Sequence, residues 1–153
     1  MPGIIAWGDR NTKFGKWKVA IINNKKSKKN NLRLSWGELW LTSKKPLPSD
    51  KWIHVVVTST GLKNEQGCPT AKFYLDGELM SAEYSKLNGN FLESGSGTLT
   101  ETRSAIPLLI GSDLIDKNLR NTLHAQIDEL YIIDGAINEQ QVQQWKNLSV
   151  KDQ

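Results

Sequence analysis

Lys72-Phe73-Tyr74-Leu75-Asp76-Gly77-Glu78-Leu79-Met80 reads as a β-hairpin whose turn is written into the chain. Phe73, Tyr74 and Leu75 suit a pleated, half-buried surface, and Asp76-Gly77 supplies the positive φ angles that a tight primed turn demands. Upstream, Trp52–Thr58 places Ile53, Val55 and Val57 on one face and Trp52, His54 and Val56 on the other. Both faces are largely apolar, which predicts a strand covered on both sides and central in its sheet, with His54 a hydrogen-bonded sheet residue and not a general base.

The same period of two recurs through the first 134 residues. It predicts strands at Gly3–Trp7, Lys16–Ile22, Asn31–Trp36, Trp52–Thr60, Thr70–Asp76, Glu78–Tyr84, Ile106–Gly111 and Leu123–Ile133. Joined by Gly-, Asn- and Ser-rich turns, these make an all-β sandwich or barrel. Asn23–Asn30, polar and cationic between two apolar runs, is an exposed loop joining neighbouring strands. Asn88–Arg103, poor in apolar anchors, is the longest irregular stretch and the expected mobile loop, with a short edge strand at Phe91-Leu92. Near the end, Asn138 is followed three residues later by Gln141, with Ile137 before and Val142 after it. That is a capping box with a hydrophobic staple, and it predicts a helix over Glu139–Asn147 that packs through Val142 and Trp145.

The 153 residues fit one domain, 1–153, with no internal repeat and no dividing linker. A domain of this size buries roughly two-thirds of its unfolded surface, so folding requires neither a metal nor a disulfide. Cys68 is the single cysteine and reads as a turn residue beside Gly67 and Pro69. No apolar run approaches the roughly eighteen residues of a membrane helix, and Met-Pro-Gly-Ile-Ile lacks a signal peptide's charged and apolar regions. Charge is uneven: through Lys51 twelve Lys/Arg face only Asp9, Glu38 and Asp50, whereas thereafter eight face thirteen acids. Nine basic residues without an acid lie between Arg10 and Arg33, a polarity that steers anionic partners.

Three stretches, taken in order, resemble the laminin G-like branch of the concanavalin A-like superfamily. Lys51-Trp52-Ile53-His54-Val55-Val56-Val57 is similar to that family's W-x-H-h-x-V strand, and Lys72–Glu78 to its v-x-l-Y-v-D-G hairpin. Leu109-Ile110-Gly111-Ser112, Ala125-Gln126-Ile127-Asp128-Glu129-Leu130-Tyr131-Ile132 and Ala136-Ile137-Asn138-Glu139-Gln140 are similar to its closing i-G, f-x-G-x-I-D-E-v-x-I and a-L-s-x-E-e segments. The resemblance spans roughly residues 51–147 and implies two antiparallel sheets in a jelly roll. Gly3–Asp9 also resembles a strand and turn of such domains, one that an earlier strand normally precedes, so the resemblance implies that the family's first N-terminal strand is missing here.

The superfamily holds lectins, glycosidases and adhesion modules, so fold alone does not fix function. Its glycosidases set carboxylates two apart on one strand, approximately E-x-D-x-x-E, and no segment here has that pattern. Asp128 and Glu129 are adjacent, which aims them at opposite faces of a strand. Many relatives hold calcium, and the resemblance carries over Asp128 alone as a candidate Ca2+ ligand, with Ala125 standing where the family has Gly. Sugar binding uses aromatic faces with amides or carboxylates beside them. Trp7, Trp17, Trp36 and Trp40 crowd the basic first third, and Trp36-Gly37-Glu38-Leu39-Trp40, if extended, puts both rings on one side with Glu38 between. These five residues are the candidate ligand-binding set. The expected function is a non-catalytic carbohydrate- or matrix-binding module, extracellular or cell-envelope by resemblance, whose partner is a polysaccharide, anionic if the lysines take part. The alternatives are a protein-interaction or spacer domain and, further off, a glycosidase with atypical residues. Nucleic acid is disfavoured, because lysines on a hairpin tip more often serve solvation.

Overall fold

The computed structural model describes residues 2–8, 17–24, 28–36, 39–63, 69–86, 108–115 and 118–149. Within them the elements are β1 (Gly3–Trp7), β2 (Trp17–Asn24), β3 (Lys29–Trp36), β4 (Leu39–Ser43), β5 (Val55–Lys63), β6 (Pro69–Leu75), β7 (Glu78–Met80), β8 (Ala82–Lys86), β9 (Leu108–Ile110), β10 (Asp113–Ile115), β11 (Asn118–Arg120) and α1 (Glu139–Ser149). A six-stranded sheet, β8-β4-β3-β2-β1-β9, faces a three-stranded one, β5-β6-β7, and β10-β11 forms a separate hairpin. Every pairing is antiparallel. This is the expected two-sheet β-sandwich with one C-terminal helix.

The core lies between the sheets. Ile5, Val19, Leu32, Leu34 and Leu41 from the larger sheet meet Phe73, Leu75 and Met80 from the smaller, with Leu47 from the connection after β4. The register explains the selection: Val19, Leu34, Leu41 and Tyr84 fall in one cross-strand row, and Val57, Phe73 and Met80 in another. A buried side chain of this size contributes about 1.5–3 kcal/mol.

The Asp76-Gly77 turn is the two-residue primed turn that the sequence predicts. Leu75 pairs with Glu78, and the two residues between have φ of 50° and 83°. Asp76 also reaches back to the start of β5: its N–H donates to the His54 carbonyl (2.8 Å), and its Oδ1 accepts the His54 N–H (3.0 Å). Gln143 of α1 donates from Nε2 to the Gly77 carbonyl (2.7 Å). One turn thus closes the hairpin, aligns β5 and seats the helix. The helix begins where expected, with Gln141 N–H on Asn138 Oδ1 (2.9 Å) and Asn138 N–H on Gln141 Oε1 (2.8 Å). It runs two residues beyond Asn147, with Val142 fully buried and the Trp145 ring edge-on to Tyr131 at 5.8 Å.

Four expectations are corrected. Among the described residues Trp52–Thr60 is not central: β5 is an edge pairing with β6, with Ile53, Val55 and Val57 packed against the core while Trp52 on the other face is exposed. It starts at Val55, because the His54 backbone is engaged by Asp76. Glu78–Tyr84 is two strands, broken at Ser81, where the chain leaves the smaller sheet for the larger and the Ser81 carbonyl accepts the Lys44 N–H (2.8 Å). Leu123–Ile133 forms no strand, since Glu129 turns into the left-handed region (φ 49°), which interrupts an extended run. The sequence reading also passes over β4, β10 and β11. Asn88–Arg103 with Phe91-Leu92, and Cys68, lie outside the described residues.

Replacing Gly77 tests the turn. A Cβ there would lie 2.6 Å from Gln143 Oε1, and the φ of +83° strains any L-residue with a side chain. Gly77→Ala is expected to cost about 1–2 kcal/mol in urea denaturation, most of it remaining when Gln143 is also truncated to Ala, because the left-handed backbone itself carries the penalty.

Candidate functional site

The larger sheet has a second face, opposite the core, and its rows follow from the register. One row runs Ala6, Lys18, Ser35, Trp40, Ser85, and the next runs Ala20, Arg33, Thr42, Glu83. The β1-β2 side of this face is closed. Ala6 and Ala20 are fully buried, and Lys18 Nζ sits 2.6 Å from Asp113 Oδ2 at the start of β10, with side chains 7% and 2% exposed. Asn121 Nδ2 lies 3.5 Å from the same oxygen, so the β10-β11 hairpin is fastened over β2 by a buried ion pair. Such a pair costs desolvation to form, but removing one partner strands the other charge, typically at 3–5 kcal/mol.

The β3-β4 side stays partly open. The Arg33 guanidinium lies 4.5 Å from the centre of the Trp40 ring, and its Nε donates to Thr42 Oγ1 at 3.1 Å. Burial lowers the Arg33 pKa from its ordinary value, which still leaves an arginine charged. A cation over an indole contributes about 0.5–2 kcal/mol. Here it holds ring and guanidinium as one partly buried platform with a hydroxyl beside it. A platform of that kind can stack on a sugar ring while donating hydrogen bonds to its hydroxyls.

The sequence-derived set is divided by this geometry. Trp40 alone contributes to the platform. Trp17 packs against the core from the opposite face. Trp7 and Trp36 fall in the Trp17 row, one residue out of phase with Trp40, because the chain reverses between β3 and β4. Gly37 and Glu38, in that reversal, lie outside the described residues. Arg33 and Thr42 are the partners that sequence reasoning missed. The signal was present: Leu32-Arg33-Leu34 and Leu39-Trp40-Leu41-Thr42 both alternate apolar with polar or aromatic residues.

Among the described residues no second acidic side chain joins Asp128 in a metal cluster. Its Oδ1 accepts the N–H of its neighbour Glu129 (2.9 Å), and no cluster of three or more His, Cys, Asp or Glu able to hold a metal occurs among the described residues. A calcium ion takes six to eight oxygens, so one exposed carboxylate does not constitute a site.

His54 lies on the other side of the molecule, between Asp76, Glu129 and Lys146. Its Nδ1 is buried without a hydrogen-bond partner among the described residues, and the Asp76 carboxylate engages its backbone, not its ring. Desolvation lowers its pKa, Asp76 and Glu129 oppose that shift, and Lys146 adds to it.

Residues 5–143 match a laminin G-like family model described as the concanavalin A-like lectin/glucanases superfamily. No curated protein and no solved structure matches the chain. No described helix is long and apolar enough to cross a membrane.

The lowered His54 pKa has a measurable sign. The unfolded chain takes up this proton in the ordinary histidine range near pH ~6.5, while the folded chain takes it up only at lower pH, so stability is level above that range and falls as pH drops through it. In urea denaturation across that interval, His54→Gln is expected to remove part of the acid-side slope and leave the neutral-pH value nearly unchanged. An unaltered slope would contradict the assignment.

Proposed function

The chain belongs to the concanavalin A-like lectin/glucanase superfamily, as a laminin G-like domain, and from that premise we propose that it is a non-catalytic carbohydrate- or matrix-binding module. The observation that carries this reading is the Arg33–Trp40–Thr42 platform, a ring fixed by a guanidinium on the partly open side of the larger sheet. Binding there is stacking plus hydrogen bonding, which requires neither a nucleophile nor an acid–base pair. The absence from the sequence of the spaced carboxylate pattern supports binding over hydrolysis.

A second reading, a protein-interaction domain, is favoured by a different surface. Residues 127–133 run outside both sheets and expose Tyr131 (65%) and Ile132 (63%), with Ile127, Leu130 and Ile133 beside them. Trp52 (58%) and β5, an edge strand among the described residues, add to the apolar, strand-accepting character of this side.

Titration against a panel of polysaccharides decides between them. Trp40→Ala is expected to weaken glycan binding by roughly tenfold, equivalent to ~1.4 kcal/mol, with a lowered unfolding midpoint from the lost Arg33 contact but a folded protein at the assay temperature. Equal affinity in wild type and variant would remove the platform from the site. No binding of any glycan by the wild-type chain would favour the interaction surface at residues 127–133.

A further inference from the structure

The register of the smaller sheet says which backbone groups of β5 face away from it. Leu75 and Glu78 close the two-residue turn as a hydrogen-bonded pair, so the odd residues of β6 turn their N–H and C=O groups towards β7 and the even ones towards β5. Val56 and Thr58, opposite Tyr74 and Lys72, therefore bond to β6, as does the His54 carbonyl through the Asp76 N–H (2.8 Å). Val55, Val57 and Ser59 point the other way. β5 ends its sheet, and no described strand pairs with it on that side.

At nine residues β5 is the longest strand described, and its edge lacks the usual protection. Monomeric proteins blunt an edge with proline, charged side chains or a bulge along it. From Trp52 to Leu62 there is no proline and no Asp, Glu, Lys or Arg, and the one irregularity in the pairing lies beyond Ser59. For a chain of net charge +4, an uncharged stretch is where two copies approach with least repulsion. Lys51, just before it, already has the Asp76 carboxylate at 4.0 Å. Residues 127–133, although apolar, do not supply a matching strand, because Glu129 sits in the left-handed region (φ 49°) and interrupts their extension.

We propose that a second copy of this chain fills the edge, β5 against β5, about a two-fold axis centred on Val57. Antiparallel pairing of identical strands is self-complementary, which is what an isologous dimer requires. Val57 pairs with Val57 of the second copy and Val55 with its Ser59, each pair exchanging two hydrogen bonds. The exposed Trp52 (58%) of each copy comes to the end where the exposed Leu62 (69%) of the other lies, so two large apolar side chains gain cover at each end. Strand, tryptophan and leucine together supply roughly half of the about 800 Å² per partner of a standard interface, so the dimer is weak and concentration-dependent. It uses the smaller sheet and is independent of glycan binding at Trp40.

Sedimentation equilibrium of the whole chain, from about 5 to about 500 μM, is expected to show the mass rising from one copy towards two, as an interface of this size implies. Leu62→Lys and Trp52→Ser are each expected to weaken association about tenfold or more while the dilute chain stays folded by circular dichroism. Amide hydrogen exchange at the two ends of that range locates the contact. The N–H groups of Val55, Val57 and Ser59 are expected to exchange readily in dilute solution and to slow at high concentration, whereas those of Val56 and Thr58, bonded to β6, are protected in both. A single-copy mass throughout would overturn the proposal and leave the edge to a strand of another protein. A dimer that withstands both substitutions, or in which the Val57 amide exchanges as fast as in the monomer, would overturn it equally. Slowing confined to residues 127–133 would place the contact there instead.

Discussion

The reciprocal hydrogen bonds between Asp76 and His54 are the constraint on which the smaller sheet depends. Three strands make a marginal sheet, and β5 has a partner on one side only among the described residues. What fixes its register is the side chain of a turn residue gripping the backbone just before the strand begins. Because the same turn offers the Gly77 carbonyl to Gln143, the helix is held by the element that aligns β5. Phe73 and Leu75, which lead into this turn, are then presented to the core with Val55 and Val57 opposite them, and the larger sheet has a surface to pack against.

The larger sheet uses its two faces for different purposes. The inner face is apolar and closed. The outer face is divided: a buried Lys18–Asp113 pair closes one half under the β10-β11 hairpin, and Arg33 on Trp40 forms the surface of the other. An ion pair buried so deeply is a costly way to gain stability, and its geometric effect is clearer, since it fixes where the hairpin sits and so where the cover stops. The positive charge concentrated before Lys51 follows the same division, because β1 to β4 and their connections all belong to this sheet.

Much of this was legible in the chain, and for local reasons. Asp76-Gly77 needs positive φ, and Asn138 with Gln141 caps a helix, so both features follow from neighbours in sequence. The misses are non-local. Ser81 passes as part of one strand until the pairing of Ala82–Lys86 with β4 is known. Trp36–Trp40 reads as one extended piece, yet the pairing of Trp36 with Leu39 reverses it, which separates Trp36 from Trp40 and leaves Arg33 as the residue beside the ring. Lys18 and Asp113 are 95 residues apart, and nothing in either segment announces the other. Leu123–Ile133 has strand composition, but composition does not supply a neighbouring strand, and Glu129 breaks its extension.

Amide hydrogen exchange at Asp76 and His54 tests the central claim most directly, since both N–H groups donate into the same paired contact. If that contact anchors the smaller sheet, the two amides exchange in the slowest class, together with those of Phe73 and Leu32 in the core, and only through global unfolding. Exchange of both at the rate of an unprotected amide, while Phe73 stays protected, would mean that the sheet holds without the turn's grip on β5, and the account would fail at its base.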